Sequence, residues 1–128
     1  MNLMFIDRNP FMRNQLEEAA RKLEINFISF CALEPALEYL KKHKVDGIVT
    51  AMGYQYRKDD PESFEDNAGD ILLILLKSLK KEIPVLGNSA QAKFNRGIDY
   101  SYYMGTMPGE LVGETFNNFI SSIKDHDD

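Results

Sequence analysis

Few side chains in this sequence have the types and spacing that chemistry requires, and most of those lack the neighbours it would need. Cys31 is the only cysteine, so neither an internal disulfide nor a thiolate zinc set can be assembled. Cys31 and His43 would make a nucleophile–base pair only with close approach and a third, orienting group. A buried structural cysteine and a histidine capping a helix end account for both. The acids Asp59, Asp60, Glu62, Glu65 and Asp66 lack the alternating ligand spacing and central glycine of a calcium loop, and read as a solvated charge run. The remaining candidate is Asp7, a carboxylate placed directly after the apolar run Leu3-Met4-Phe5-Ile6. The following Arg8-Asn9-Pro10 contains no glycine, so the phosphate cradle of a dinucleotide-binding loop is missing.

The elements around Asp7 follow from hydrophobic periodicity. Leu3 to Ile6 is a short continuous apolar run, as expected of a strand buried on both faces. Asn9-Pro10 supplies a helix cap with proline at the first helical position. Phe11, Met12, Leu16, Ala19, Ala20 and Leu23 then recur at helical spacing. The unit repeats, with a strand over 25–30 and a helix from Leu33 to near His43. A third strand covers 46–51, a third helix 70–81, a fourth strand 83–87 and a fifth strand 100–104. A last helix opens at Pro108 and turns Leu111, Val112, Phe116, Phe119, Ile120 and Ile123 inward. The apolar run Ile71 to Leu76 also suits a buried strand, but its unbranched leucines and lysine-rich continuation favour helix. Alternating strands and helices predict one α/β domain, a doubly wound parallel sheet covered on both faces. In such sheets the chemistry gathers at the carboxyl ends of the strands. That selects Asp7 and Arg8, Ala51 and Met52, Ser89, and Met104.

These segments together resemble a response-regulator receiver domain. Leu3 to Pro10 resembles the first strand and its acidic pair, and Val45 to Ala51 the strand that carries the phosphoacceptor. Gly69-Asp70 with its leucine run is similar to the third helix, and Ile83-Pro84-Val85 leading to Ser89-Ala90 to the strand ending in the switch hydroxyl. Gly97 to Met104, then Pro108 to Leu111, resemble the fifth strand and the entry to the last helix. The resemblance implies a flavodoxin-like, receiver-like (βα)5 fold with strand order 2-1-3-4-5, spanning residues 1–124 ahead of a short acidic tail, 125–128.

The same resemblance implies that the site is degenerate. Receiver chemistry uses a carboxylate nucleophile, Mg²⁺ held by neighbouring acids, a lysine on the phosphate and a hydroxyl that follows it. Here Asp7 is retained but its acidic partner is Arg8, the acceptor position is Ala51, and the lysine position is Met104. No lysine occurs from Phe94 to Ile123, so a small shift of alignment would not restore one. Ser89 survives at the switch position. Arg8 has two readings: a fixed cation where the metal would sit, or a side chain extended into solvent. Either leaves no strong Mg²⁺ binding.

Two segments depart in length. An insertion, about 53–68, carries two cations against five acids between Arg57 and Asp66, together with Tyr54, Tyr56 and Phe64. A loop of that length with aromatics beside the site face suits a partner contact; the bland alternative is a mobile, solvated insertion. The fourth helix has only about 90–96 to occupy, so the family's usual output face is altered there. Tyr100, Tyr102 and Tyr103 crowd the fifth strand beside it as further candidate contacts.

The functional expectation is a receiver-like domain that is not phosphorylated on aspartate and signals through protein–protein contact, a homodimer included, with no enzymatic activity, cofactor or metal. A formal charge of −5 with scattered lysines and arginines argues against nucleic acid. The N-terminus lacks the features of a signal peptide, and no apolar run is long enough for a membrane span, so the cytoplasm is expected. Three alternatives stand beside this reading. One is a module binding a nucleotide or small anion in the strand-end crevice through Arg8. Another is phosphotransfer onto a loop acid such as Asp59. The third is the N-terminal regulatory domain of a larger regulator, against which the chain is taken to stand alone.

Overall fold

The computed structural model describes residues 1–88, 102–104 and 109–126. The chain begins with β1 (Asn2–Ile6), α1 (Pro10–Lys22), β2 (Asn26–Phe30), α2 (Leu33–Lys42) and β3 (Gly47–Ala51). Within the insertion, β4 (Tyr54–Gln55), a 3-10 turn (Pro61–Ser63) and β5 (Phe64–Glu65) follow. The chain then continues through α3 (Ala68–Ser78), β6 (Val85–Asn88), β7 (Tyr102–Met104) and α4 (Gly109–His126).

Five strands form one parallel sheet in the order β2-β1-β3-β6-β7, the receiver-like order that the resemblance implied. β4 and β5 pair separately as an antiparallel ribbon. β1 lies inside the sheet, and Leu3 to Ile6 are almost wholly buried, so this strand carries an unbroken apolar run instead of an alternating one. Successive residues feed opposite faces. Met4, Ile6 and Ile48 join a core with Leu37, Leu40, Leu72 and Leu76 of α2 and α3. Leu3, Phe5 and Val49 join a second core with Leu16, Ala20, Phe116 and Phe119 of α1 and α4. Gly47 lets α4 approach closely: a Cβ there would collide with the Ile123 side chain and lie 3.1 Å from Leu3 Cδ2.

Several expectations need correction. Phe11 and Leu23 belong to the set that recurs at helical spacing along α1, yet they are 64% and 42% exposed. Phe11 lies five residues before the buried Leu16, well round the helix from it, and Leu23 is the C-cap, beyond the last helical turn. The third helix covers Ala68–Ser78 instead of 70–81, because the chain turns left-handed at Lys80. Cys31 is half-buried instead of buried. The last helix runs on to His126, so the start of the acidic tail is helical. The inward placement of Phe116, Phe119, Ile120 and Ile123 is met. The short fourth helix expected near 90–96 lies outside the described residues. No helix among the described residues is long and apolar enough to cross a membrane.

Candidate functional site

Sheet register decides which residues meet at the carboxyl edge. Ile6 pairs with Thr50 and Thr50 with Gly87, while Ala51 pairs with Asn88 and Asn88 with Met104. Asp7, one residue beyond Ile6, therefore stands level with Ala51 and Met104. The sequence-predicted positions do assemble at one edge; Ser89 lies outside the described residues.

Asp7 is only 6% exposed. Its amide donates to Phe30 O at 3.0 Å, and its Oδ1 accepts from Asn9 N–H at 2.9 Å. The Arg13 guanidinium donates to the Asp7 carbonyl. Burial raises the carboxyl above the ordinary aspartate range, and the Asn9 hydrogen bond and the charges of Arg13 and Arg8 oppose that rise. Arg13 was not singled out in the sequence: it reads there as one more polar residue on the solvent side of α1. Arg8 is exposed, and its guanidinium carbon lies 4.7 Å from the centroid of the Phe64 ring, a cation–π contact between the β1–α1 turn and the insertion.

Tyr54 overturns its assignment as a partner contact, since it is completely buried in the α2/α3-side core. Its hydroxyl lies 2.8 Å from Thr50 Oγ1, and Thr50 Oγ1 donates to Ala51 O at 2.9 Å. A hydroxyl has one proton, so Tyr54 is the donor in this arrangement. Burial pushes the phenol above its usual range; the Thr50 hydrogen bond opposes this, and the Asp7 carboxylate adds to it. Loop composition concealed Tyr54, because one buried residue between Gly53 and Gln55 has no periodic signal.

The rest of the insertion is densely bonded. β4 and β5 pair Tyr54 with Glu65 and Gln55 with Phe64, and Gln55 also bridges to Ala32 ahead of α2. Ser63 Oγ accepts from Arg57 N–H at 2.9 Å and donates to Asp60 O at 2.6 Å. Asp60 caps the 3-10 turn through Glu62 N–H at 3.1 Å. Gly53 makes room for Phe64, whose Cζ would lie 3.0 Å from a Cβ at that position. Tyr56 is 37% exposed and Phe64 half-buried, so both retain surface that a partner can touch. Tyr100 and the side chains of Tyr102 and Tyr103 lie outside the described set.

An open groove of about 410 Å³ runs between α2 and the insertion, lined by Glu34, Pro35 and Glu38 and by residues 57–60. It does not include Asp7 or Ala51. Arg57 reaches Glu34 across it at 3.9 Å and Asp60 within the insertion at 3.8 Å, exposed pairs that stabilise by at most about 1 kcal/mol. Among the described residues no three carboxylate, histidine or cysteine side chains converge on a point where a cation would sit. Cys31 and His43 take no part in a shared site: the His43 ring stacks on Tyr39 at 4.1 Å, and its amide closes α2 on Tyr39 O.

No family model matches the chain, and no curated protein matches it in sequence. Solved structures match it in shape. A response regulator receiver protein from Pseudoalteromonas atlantica gives a TM-score of 0.74 at 11% identity, covering 95% of this chain and 98% of that one. The N-terminal domain of a response regulator/sensory box/GGDEF 3-domain protein from Carboxydothermus hydrogenoformans gives 0.74 at 12% identity, with 100% of each chain covered. The chemotaxis response regulator CheY4 of Vibrio cholerae gives 0.69 at 12% identity, covering 92% of this chain and 97% of that one. At such identities the likeness establishes the fold alone, and that fold is shared with response-regulator receiver domains.

Proposed function

From this receiver-like fold we infer a signalling domain that does not accept a phosphoryl group on β3 and acts through contacts with other proteins, itself included. The observation that carries the reading is Ala51, a residue without a nucleophile, standing at the strand end level with Asp7. Arg8 in place of a second acid, and Met104 at the end of β7, support it, because metal and phosphate each lose a partner. Ser89 then has no phosphoryl group to follow. The domain carries no enzymatic activity, works in the cytoplasm, and needs neither Mg²⁺ nor a cofactor. Tyr56 and Phe64 on the insertion are its candidate partner contacts. Arg8 lies against Phe64, which weakens the alternative of an anion site built on that residue.

The test is an amide NMR titration with Mg²⁺ followed by beryllofluoride, a mimic of the phosphoryl group. The expected outcome is no saturable shift around Asp7, Ala51 and Asn88. Saturable shifts there would mean that an acceptor exists and that the reading is wrong.

A further inference from the structure

The first four N–H groups of a helix need partners from outside it, and side-chain caps usually supply one. α2 and α3 both lack such a cap: Ala32 has no suitable side chain, and Asn67 makes no side-chain hydrogen bond. Both find a partner in the same place. Tyr56 O accepts from Glu34 N–H at 2.8 Å in the first turn of α2, and Met52 O accepts from Gly69 N–H at 2.8 Å in the first turn of α3. Between these two carbonyls sits Tyr54, bonded at 2.8 Å to Thr50 on β3. The returning arm is tied to the β1–α1 turn by Phe64 beneath Arg8.

We propose that the insertion is a built-in latch, which joins β3, α2, α3 and the β1–α1 turn and holds the loops after β1, β2 and β3 in one arrangement. The inference rests on the reading above: with no phosphoryl group to order this edge of the sheet, the chain's own hydroxyl and carbonyls hold the β3–α3 connection. A solvated loop would not bury a tyrosine completely or seat its hydroxyl on the strand beside Ala51. The β3–α3 connection is therefore fixed from within, and the insertion presents the same exposed residues throughout.

Hydrogen exchange on the full chain tests the latch. In the wild-type protein the Glu34 and Gly69 amides are protected by the insertion, whereas the Leu23 and Ile25 amides at the far end of α1 open by local fraying of that turn. Tyr54→Phe keeps the ring and removes one buried hydrogen bond, so exchange at Glu34 and Gly69 rises by about three- to tenfold while Leu23 and Ile25 hold their rates. Arg8→Gln, which leaves the core untouched, produces a smaller rise at Gly69. Unchanged rates in Tyr54→Phe would overturn the latch. Equal acceleration at all four amides would overturn it too, because the hydroxyl would then support the whole fold and not these loops. The beryllofluoride titration of wild-type protein decides separately whether the underlying reading survives, so the two failures are distinguishable.

Discussion

Asp7 holds a carboxyl group where burial disfavours its charge. The Asn9 amide and two arginines offset part of that cost but do not reverse it, and the proton is held more tightly than in the unfolded chain. The linkage has a definite sign. Below the ordinary carboxylate range both states are protonated. Between that range and the raised folded value only the unfolded chain releases its proton, so stability falls as pH rises through this window and stays lower above it. Asp7→Asn keeps an oxygen to accept from Asn9 N–H and removes the charge. The variant should therefore be more stable than wild type at pH 7, and their denaturation midpoints should converge toward pH 4. An unchanged difference between the two pH values would show that Asp7 is not the group responsible. Tyr54 behaves in the opposite sense to a switch: burial keeps its proton in place at neutral pH, so it remains a donor to Thr50.

At the scale of elements, α1 and α3 end alike. Beyond the C-caps Leu23 and Leu79, Glu24 and Lys80 adopt left-handed φ values of 56° and 54°. Ile25 N–H reaches back to Ala20 O, and Lys81 N–H to Leu76 O, giving the closing bond of a Schellman turn at both ends. Glycine is the usual residue at that position, since a Cβ is penalised there. Lys80→Gly relieves the strain but adds freedom to the unfolded chain, so a net stabilisation of about 0.5–1 kcal/mol is expected in chemical denaturation. A loss of stability would mean that the lysine side chain makes a contribution larger than the strain. The Lys80 turn explains why the sequence places the end of α3 three residues late, at 81: a lysine does not signal a stop. The strands were easier to read, because burial on both faces leaves apolar runs such as Leu3 to Ile6 that turn residues bracket. The ribbon of β4 and β5 was invisible, since two-residue strands, each one aromatic beside one polar residue, are too short to show a period.

Across the whole molecule, stability depends on two cores pressed onto opposite faces of one sheet. At Gly47 the α1/α4 side has no room for a Cβ, since the Ile123 side chain occupies that space. Gly47→Ala forces α4 or Ile123 to move and should cost about 1–3 kcal/mol, read as a lower denaturation midpoint with an unchanged slope. A neutral effect would show that Ile123 can change rotamer freely. The positions of Asp7, Ala51 and Met104 were legible because they follow from counting along strands of a recognisable order. The contacts that join them to the rest of the chain were not. Arg13 on a carbonyl, Arg8 on Phe64 and Tyr54 on Thr50 connect residues through space, and nothing in their types or spacing announces those pairs.

The hydrogen bond between Met52 O and Gly69 N–H brings the two ends of the insertion together at its base. Chain added at the tip, around 58–62, would lengthen a loop whose closure is already enforced, and each doubling of a flexible loop costs only about 0.6 kcal/mol. The exposed side chains of Lys58, Asp59 and Glu62 are thus decoupled from the fold beneath, while Asp60 and Ser63 hold the local turn. The exposed residues of such a tip can be rewritten with the sheet and both cores left as they are, so under the proposed partner-contact role a change of partner would need few substitutions.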